Sequence, residues 1–165
     1  MSEWITHMTP DEMMARIRKD RTSFAALWAG LTDEQMTQRP GPQSDWSVKD
    51  LIAHISAWEK RMLDNGEQLR KGEPLIPRPD IDTVNVEIFA ANKDRSLADV
   101  RAEFDAQMAR LESALGSLSE DQINNAQLFP QLQGRPLLLP IIGDTFGHYD
   151  AHRPDLEHYV NSLKS

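Results

Sequence analysis

Apolar residues recur along most of this chain at alternating spacings of three and four, the rhythm of helices that bury one face. Met14, Ile17, Phe24, Trp28 and Leu31 form the first series, with Arg21 interrupting it. Thr9-Pro10-Asp11-Glu12 reads as its start: Thr at the cap, Pro at the first position, Glu three residues after the cap. That helix is expected to run to about Gly30. Thr32-Asp33-Glu34-Gln35 repeats the capping pattern on a smaller scale, and Pro40-Gly41-Pro42 stops whatever follows it.

Ser47 opens a second long helix. Its hydroxyl can accept from the Asp50 amide while the Asp50 carboxylate reaches back, and Trp46 with Leu51 can form a hydrophobic staple. Leu51, Ile55, Trp58, Met62 and Leu69 keep the rhythm, and Gly72 is a plausible terminator. Pro74, Pro77 and Pro79 then exclude helix. About nine extended residues at roughly 3.1 Å each reach close to 28 Å, so this connector can cross the bundle and leave its flanking helices parallel.

A short helix is expected from Asp82 to about Asp94. Ser96 caps a third long stripe through Leu97, Val100, Phe104, Met108, Leu111, Leu115 and Leu118. Ser119 to Leu139 is irregular, rich in Asn, Gln, Gly and Pro. Pro140 is expected to open the last helix, with Ile141, Thr145, Tyr149, His152, Leu156, Tyr159 and Leu163 as its seam and a kink at Pro154 just after His152. No strand alternation of useful length is present. Four long helices with apolar seams predict an all-α four-helix bundle, one domain over residues 1–165 with 1–8 as a flexible tail and His7 within it.

The histidines carry the candidate chemistry. His148 and His152 stand one turn apart on the last helix, and His54 lies between Leu51 and Trp58 near the inward edge of the second. A third imidazole from a facing helix would complete a three-nitrogen divalent-metal site, suited to zinc, nickel or iron, with a position open for water or substrate. Spacing alone leaves a second reading open, in which each ring bonds a carbonyl or carboxylate and closes a wet end of the core. Glu59 is the best-placed general acid or base, with Tyr149 and Trp58 beside the same site. Asp144, one turn before His148, is either a partner for an imidazole or a solvated carboxylate. His158 points to another face and is expected at the surface.

Composition narrows the classes. The absence of cysteine removes disulfides, thiolate nucleophiles and Cys-based zinc sites. A formal net charge of −8 repels phosphate backbones, so no nucleic-acid partner is expected. Met1-Ser2-Glu3-Trp4-Ile5 lacks a signal-peptide pattern, and no run approaches a membrane span. A soluble cytoplasmic protein acting on a small-molecule ligand or substrate is the expectation. No phosphate loop, nucleophile elbow or Ser-centred triad is present. The acidic pairs Asp11-Glu12 and Glu120-Asp121 lack calcium-loop spacing and read as helix-start carboxylates.

The stretch Asp45-Trp46-Ser47-Val48-Lys49-Asp50-Leu51-Ile52-Ala53-His54-Ile55, with Trp58-Glu59 one turn on, resembles the second-helix signature of DinB-like four-helix bundles. Thr145-Phe146-Gly147-His148-Tyr149-Asp150-Ala151-His152 resembles their last-helix motif. The resemblance runs through nearly the whole chain and is nearest to the ClbS/DfsB branch. It implies an up-down-down-up bundle with a long link between helices two and three, and a divalent metal held by His54, His148 and His152. It also implies thiol-dependent transfer or isomerisation in the wider superfamily, or self-resistance by opening an electrophilic warhead with water in this branch, and a homodimer. Two readings follow: an enzyme that adds water or a thiol to an electrophile, with Glu59 and Tyr149 as catalytic candidates, or a non-catalytic bundle that sequesters a small molecule. A plain structural or dimerising bundle is a third.

Overall fold

Capping chemistry sets the ends of the long helices. A computed structural model describes residues 5–164. Helix α1 spans Pro10–Ala26, and the Thr9 hydroxyl and Glu12 carboxylate complete its capping box. The short α2 is Asp33–Thr37, capped by Thr32 and Gln35 in the same way. Helix α3, Val48–Lys71, starts with a Ser47–Asp50 box and ends at Gly72. Gly72 has φ of 71°, the left-handed conformation that glycine adopts without a Cβ penalty. Helices α4 (Ile81–Asn92) and α5 (Leu97–Leu115) begin with Asp80 and Ser96 side-chain caps. The chain continues through α6 (Glu120–Asn124), a short 3₁₀ turn (Pro130–Leu132), α7 (Leu138–Asp144) and α8 (Phe146–Ser162). Among the described residues no β-strand forms, so the fold is all-α.

The four long helices α1, α3, α5 and α8 enclose one apolar core. Met13, Ile17 and Phe24 of α1 meet Leu51, Ile52 and Ile55 of α3, Phe104 and Leu111 of α5, and Tyr149 and Leu156 of α8. Burial of each such side chain contributes roughly 1.5–3 kcal/mol. The Pro-rich connector does not cross the bundle alone, as its reach suggested. It folds back on α3, where the Ile76 amide donates to Asn65 Oδ1 at 2.8 Å and Arg61 donates to the Pro77 carbonyl. Helix α4 completes the return, with Trp58 Nε1 donating to Asn85 and Trp46 stacked on Phe89. Lys49, at the start of α3, donates to the Lys93 and Arg95 carbonyls just ahead of α5. The starts of α3 and α5 therefore share one end of the bundle.

Three local expectations change. The last helix is two segments: Thr145, with φ −124° and ψ −114°, breaks the chain between α7 and α8, so Pro140 lies inside α7 and α8 opens at Phe146. Gly147 packs so tightly there that a Cβ would lie 2.7 Å from the Ile142 carbonyl oxygen. Helix α8 then continues through Pro154. The region 119–139, expected to be irregular, contains α6 with a Ser119–Gln122 capping box. Of the expected tail, residues 1–4 lie outside the described part, whereas the Met8 amide and carbonyl both bond Asn124 and His7 pairs with Glu120 at 3.0 Å. Residues 7 and 8 are thus docked on α6. No helix among the described residues is long and apolar enough to cross a membrane.

Candidate functional site

Helices α3 and α8 bring three imidazoles together in their N-terminal halves. His54 Nε2 lies 3.0 Å from His148 Nε2, and His152 Nε2 lies 3.1 Å from the same atom. The ligand atoms of all three lie within 4.8 Å of one another. His54 is buried, while His148 and His152 are half-buried. The one-turn spacing read from the sequence supplies His148 and His152, and packing of α3 against α8 supplies the third ring.

The electrostatics favour neutral rings. Burial, reinforced by the neighbouring imidazoles, lowers the His54 pKa to about 2. Burial and His152 lower that of His148 to about 3. His152 is lowered by burial too, with Asp155 working against the shift. An uncharged imidazole keeps a lone pair available, which is the form that binds a metal. Two Zn–N bonds of about 2.0–2.1 Å separate the nitrogens by about 2.9 Å at a right angle and about 3.3 Å at a tetrahedral one. The spacings of His54 and His152 to His148, 3.0 and 3.1 Å, fall in that range, so the three residues could hold a divalent metal. The Nδ1 atoms of His54 and His148 are buried without a partner, so neither ring is oriented by a carboxylate or carbonyl. Aromatic packing does that work: Trp46 lies 4.9 Å from the His54 ring centre, and Trp58 lies 6.5 Å from that of His148. Trp46 thus packs on the site residue His54.

Glu59 and Tyr149 belong to an adjoining network. The Glu59 carboxylate is fully buried and receives Arg21 Nε at 3.1 Å, Arg21 Nη2 at 3.2 Å and the Tyr149 hydroxyl at 2.5 Å. Arg21 also donates to the Phe104 carbonyl at 2.7 Å and stacks 3.6 Å from the centre of that ring. Burial and the Glu59 charge drive the Tyr149 pKa upward, so its phenol stays protonated and donates. Arg21, which broke the first apolar series, is the counter-ion for a carboxylate that the sequence placed near the site. A lone Arg at a seam position of one helix and a lone Glu on another was the available signal.

Asp144, at the end of α7, is not a solvated helix-start carboxylate. It is half-buried, and burial raises its pKa to about 7 although Arg78 and Arg61 oppose the shift. It lines a cavity of about 360 Å³ whose wall includes Trp58. His158 is exposed.

A helical bundle whose second and last long helices present a partly buried three-histidine cluster is the class that fold and site define. The sequence matches the DinB superfamily over residues 16–163, and the chain belongs to that superfamily. No curated protein matches it. Among solved structures, a protein described as Sibling Lethal Factor Precursor, DfsB, superposes with a TM-score of 0.83 at 17% identity, over 96% of this chain and 99% of that one. An uncharacterised protein from Escherichia coli UTI89 gives a TM-score of 0.82 at 13% identity, over 94% and 95%. The colibactin self-resistance protein ClbS, in complex with double-stranded DNA, gives 0.78 at 14% identity, over 92% and 94%. These likenesses carry the ClbS/DfsB resemblance to the level of fold. In that neighbour the same fold accompanies a DNA duplex.

Proposed function

We propose that this protein is a small-molecule detoxification or self-resistance enzyme that adds water or a thiol to an electrophile at the His54–His148–His152 centre. The observation that carries this reading is the convergence of three Nε2 atoms on rings that burial keeps neutral at pH 7. Superfamily membership and the likeness in fold to a self-resistance protein support it. His54, His148 and His152 would hold a zinc, nickel or iron ion, which would supply Lewis-acid polarisation and a lowered pKa for bound water. The chain's own residues fix the geometry. Trp46 and Trp58 wall the imidazoles and restrict water. Tyr149 follows His148 on α8, and its bond to Glu59 sets the rotation of that helix against α3. We assign Glu59 and Tyr149 to this positioning, in place of direct proton transfer and substrate orientation, because the Glu59 oxygens point at Arg21 and Tyr149.

Sequestration without turnover is the second reading, favoured by the cavity of about 360 Å³ beside the centre. A nucleic-acid partner is not proposed, since the net charge of −8 opposes a phosphate backbone.

The test combines plasma mass spectrometry for metal with a mass-spectrometric screen of cyclopropane and epoxide electrophiles, with water alone and with an added thiol. Near-stoichiometric metal and product formation are expected, both lost in His148→Ala with the far-ultraviolet spectrum unchanged. Full turnover in that variant overturns the assignment. Saturable binding with no product over hours selects sequestration.

A further inference from the structure

Twelve arginines are present, and eight make ion pairs: Arg16, Arg18, Arg21, Arg39, Arg70, Arg95, Arg101 and Arg153. Among the described residues, the four that make none are Arg61, Arg78, Arg110 and Arg135. Three of those four line the same cavity. Arg61 comes from α3, Arg78 from the Pro-rich connector and Arg135 from the segment ahead of α7, so three parts of the chain distant in sequence deliver cationic groups to one concavity. In a protein of net charge −8 that concentration is unusual.

Their donors are largely unspent. Arg61 gives one terminal nitrogen to the Ile76 and Pro77 carbonyls, and Arg135 gives its Nε to Leu132. Asp144 is the one carboxylate in the lining, and burial pushes it up to about 7, which weakens its opposition to a bound anion. Trp58, Ile76, Leu132 and Leu139 add apolar wall. The volume, about 360 Å³, falls within the ~300–1,000 Å³ common for small-molecule sites. Trp58 is shared between this cavity and the histidine centre, with its ring centre 6.4 Å from that of His54.

We propose that this cavity binds the carboxylate or phosphate group of an amphipathic small molecule, through Arg61, Arg78 and Arg135, and so selects anionic substrates for the neighbouring histidine centre. The forked guanidinium matches either oxyanion, and Trp58 and Leu139 take the apolar part. The selection role rests on the reading of the histidines as a reaction centre. The anion site itself does not.

Three probes test it: benzoate, phenyl phosphate and the neutral benzyl alcohol, titrated while following the Trp58 indole N–H resonance, assigned with Trp58→Phe. Benzoate or phenyl phosphate should shift that signal saturably, and the tighter of the two identifies the favoured oxyanion. Benzyl alcohol should bind at least about tenfold more weakly, since it lacks the charge that the arginines read. Arg78→Gln with Arg135→Gln, both exposed positions, should weaken anion binding by roughly tenfold without changing the melting temperature. His148→Ala should leave anion binding intact, so failure of the histidine reading is separable from failure here. Equal binding of benzyl alcohol and benzoate, or undiminished anion binding by the double variant, overturns the proposal.

Discussion

At the α3–α8 interface, Glu59 lies little more than a turn from His54 and Tyr149 directly follows His148, yet the two groups meet burial in opposite ways. The Glu59 oxygens are taken up by Arg21 and Tyr149, so the buried charge is paired and hydrogen-bonded. The histidines instead aim three nitrogens at one another and leave two Nδ1 atoms without partners. A satisfied network holds helices in register, and an unsatisfied cluster of lone pairs is suited to a ligand. Adjacent residues on α8, His148 and Tyr149, serve the two different ends.

Breaking the satisfied network should have the largest effect. Arg21→Ala leaves Glu59 buried and uncompensated, with an expected loss of about 3–5 kcal/mol in urea unfolding. A loss near zero would mean that the ion pair does not frame the site. The unsatisfied cluster should respond to ligand instead. Free zinc or nickel at 100 times its dissociation constant should add about 2.7 kcal/mol to stability, an effect abolished in His148→Ala, His152→Ala and kept in Tyr149→Phe. The same metal effect in all three proteins would dissolve the distinction.

Acid should sharpen it further. The folded pKa values of His54 and His148, about 2 and about 3, lie below the ordinary 6.5. The unfolded chain therefore binds more protons below pH 6.5, and stability falls as pH drops from 6.5 toward those values. Each histidine contributes up to about 1.4 kcal/mol per pH unit. Asp144 works in the opposite sense, because its folded pKa is raised to about 7. Urea unfolding from pH 7 to 5 should thus show a steeper slope in Asp144→Asn and a flatter one in His54→Gln. The smallest effect belongs to Tyr149→Phe, which removes one hydroxyl donor from Glu59 and should cost about 1 kcal/mol.

Local chemistry made much of the fold legible. Thr9, Thr32, Ser47 and Ser96 each cap the helix that their sequence context announced, because capping involves only residues three apart. The Ser119–Gln122 box obeys the same rule, and the acidic pair Glu120-Asp121 already marked a helix start. The Asn and Gln that follow obscured it. The break at Thr145 carried no comparable signal. Its side chain donates to the Ile141 carbonyl and supplies no cap to α8, and the surrounding apolar residues continue the helical rhythm across it. The arginine cavity was also invisible, since its members come from α3, the connector and the segment before α7.

By itself the sequence determined the all-helical class, the four long amphipathic helices and the placing of His54, His148 and His152 on inward faces, because periodicity and capping act over a few residues. Only the tertiary structure decided that the three imidazoles meet, that Arg21 pairs with Glu59, and that three arginines line one cavity walled by Trp58. Those outcomes depend on which helix faces pack together, and side chains tens of residues apart acquire a shared environment only when the core closes.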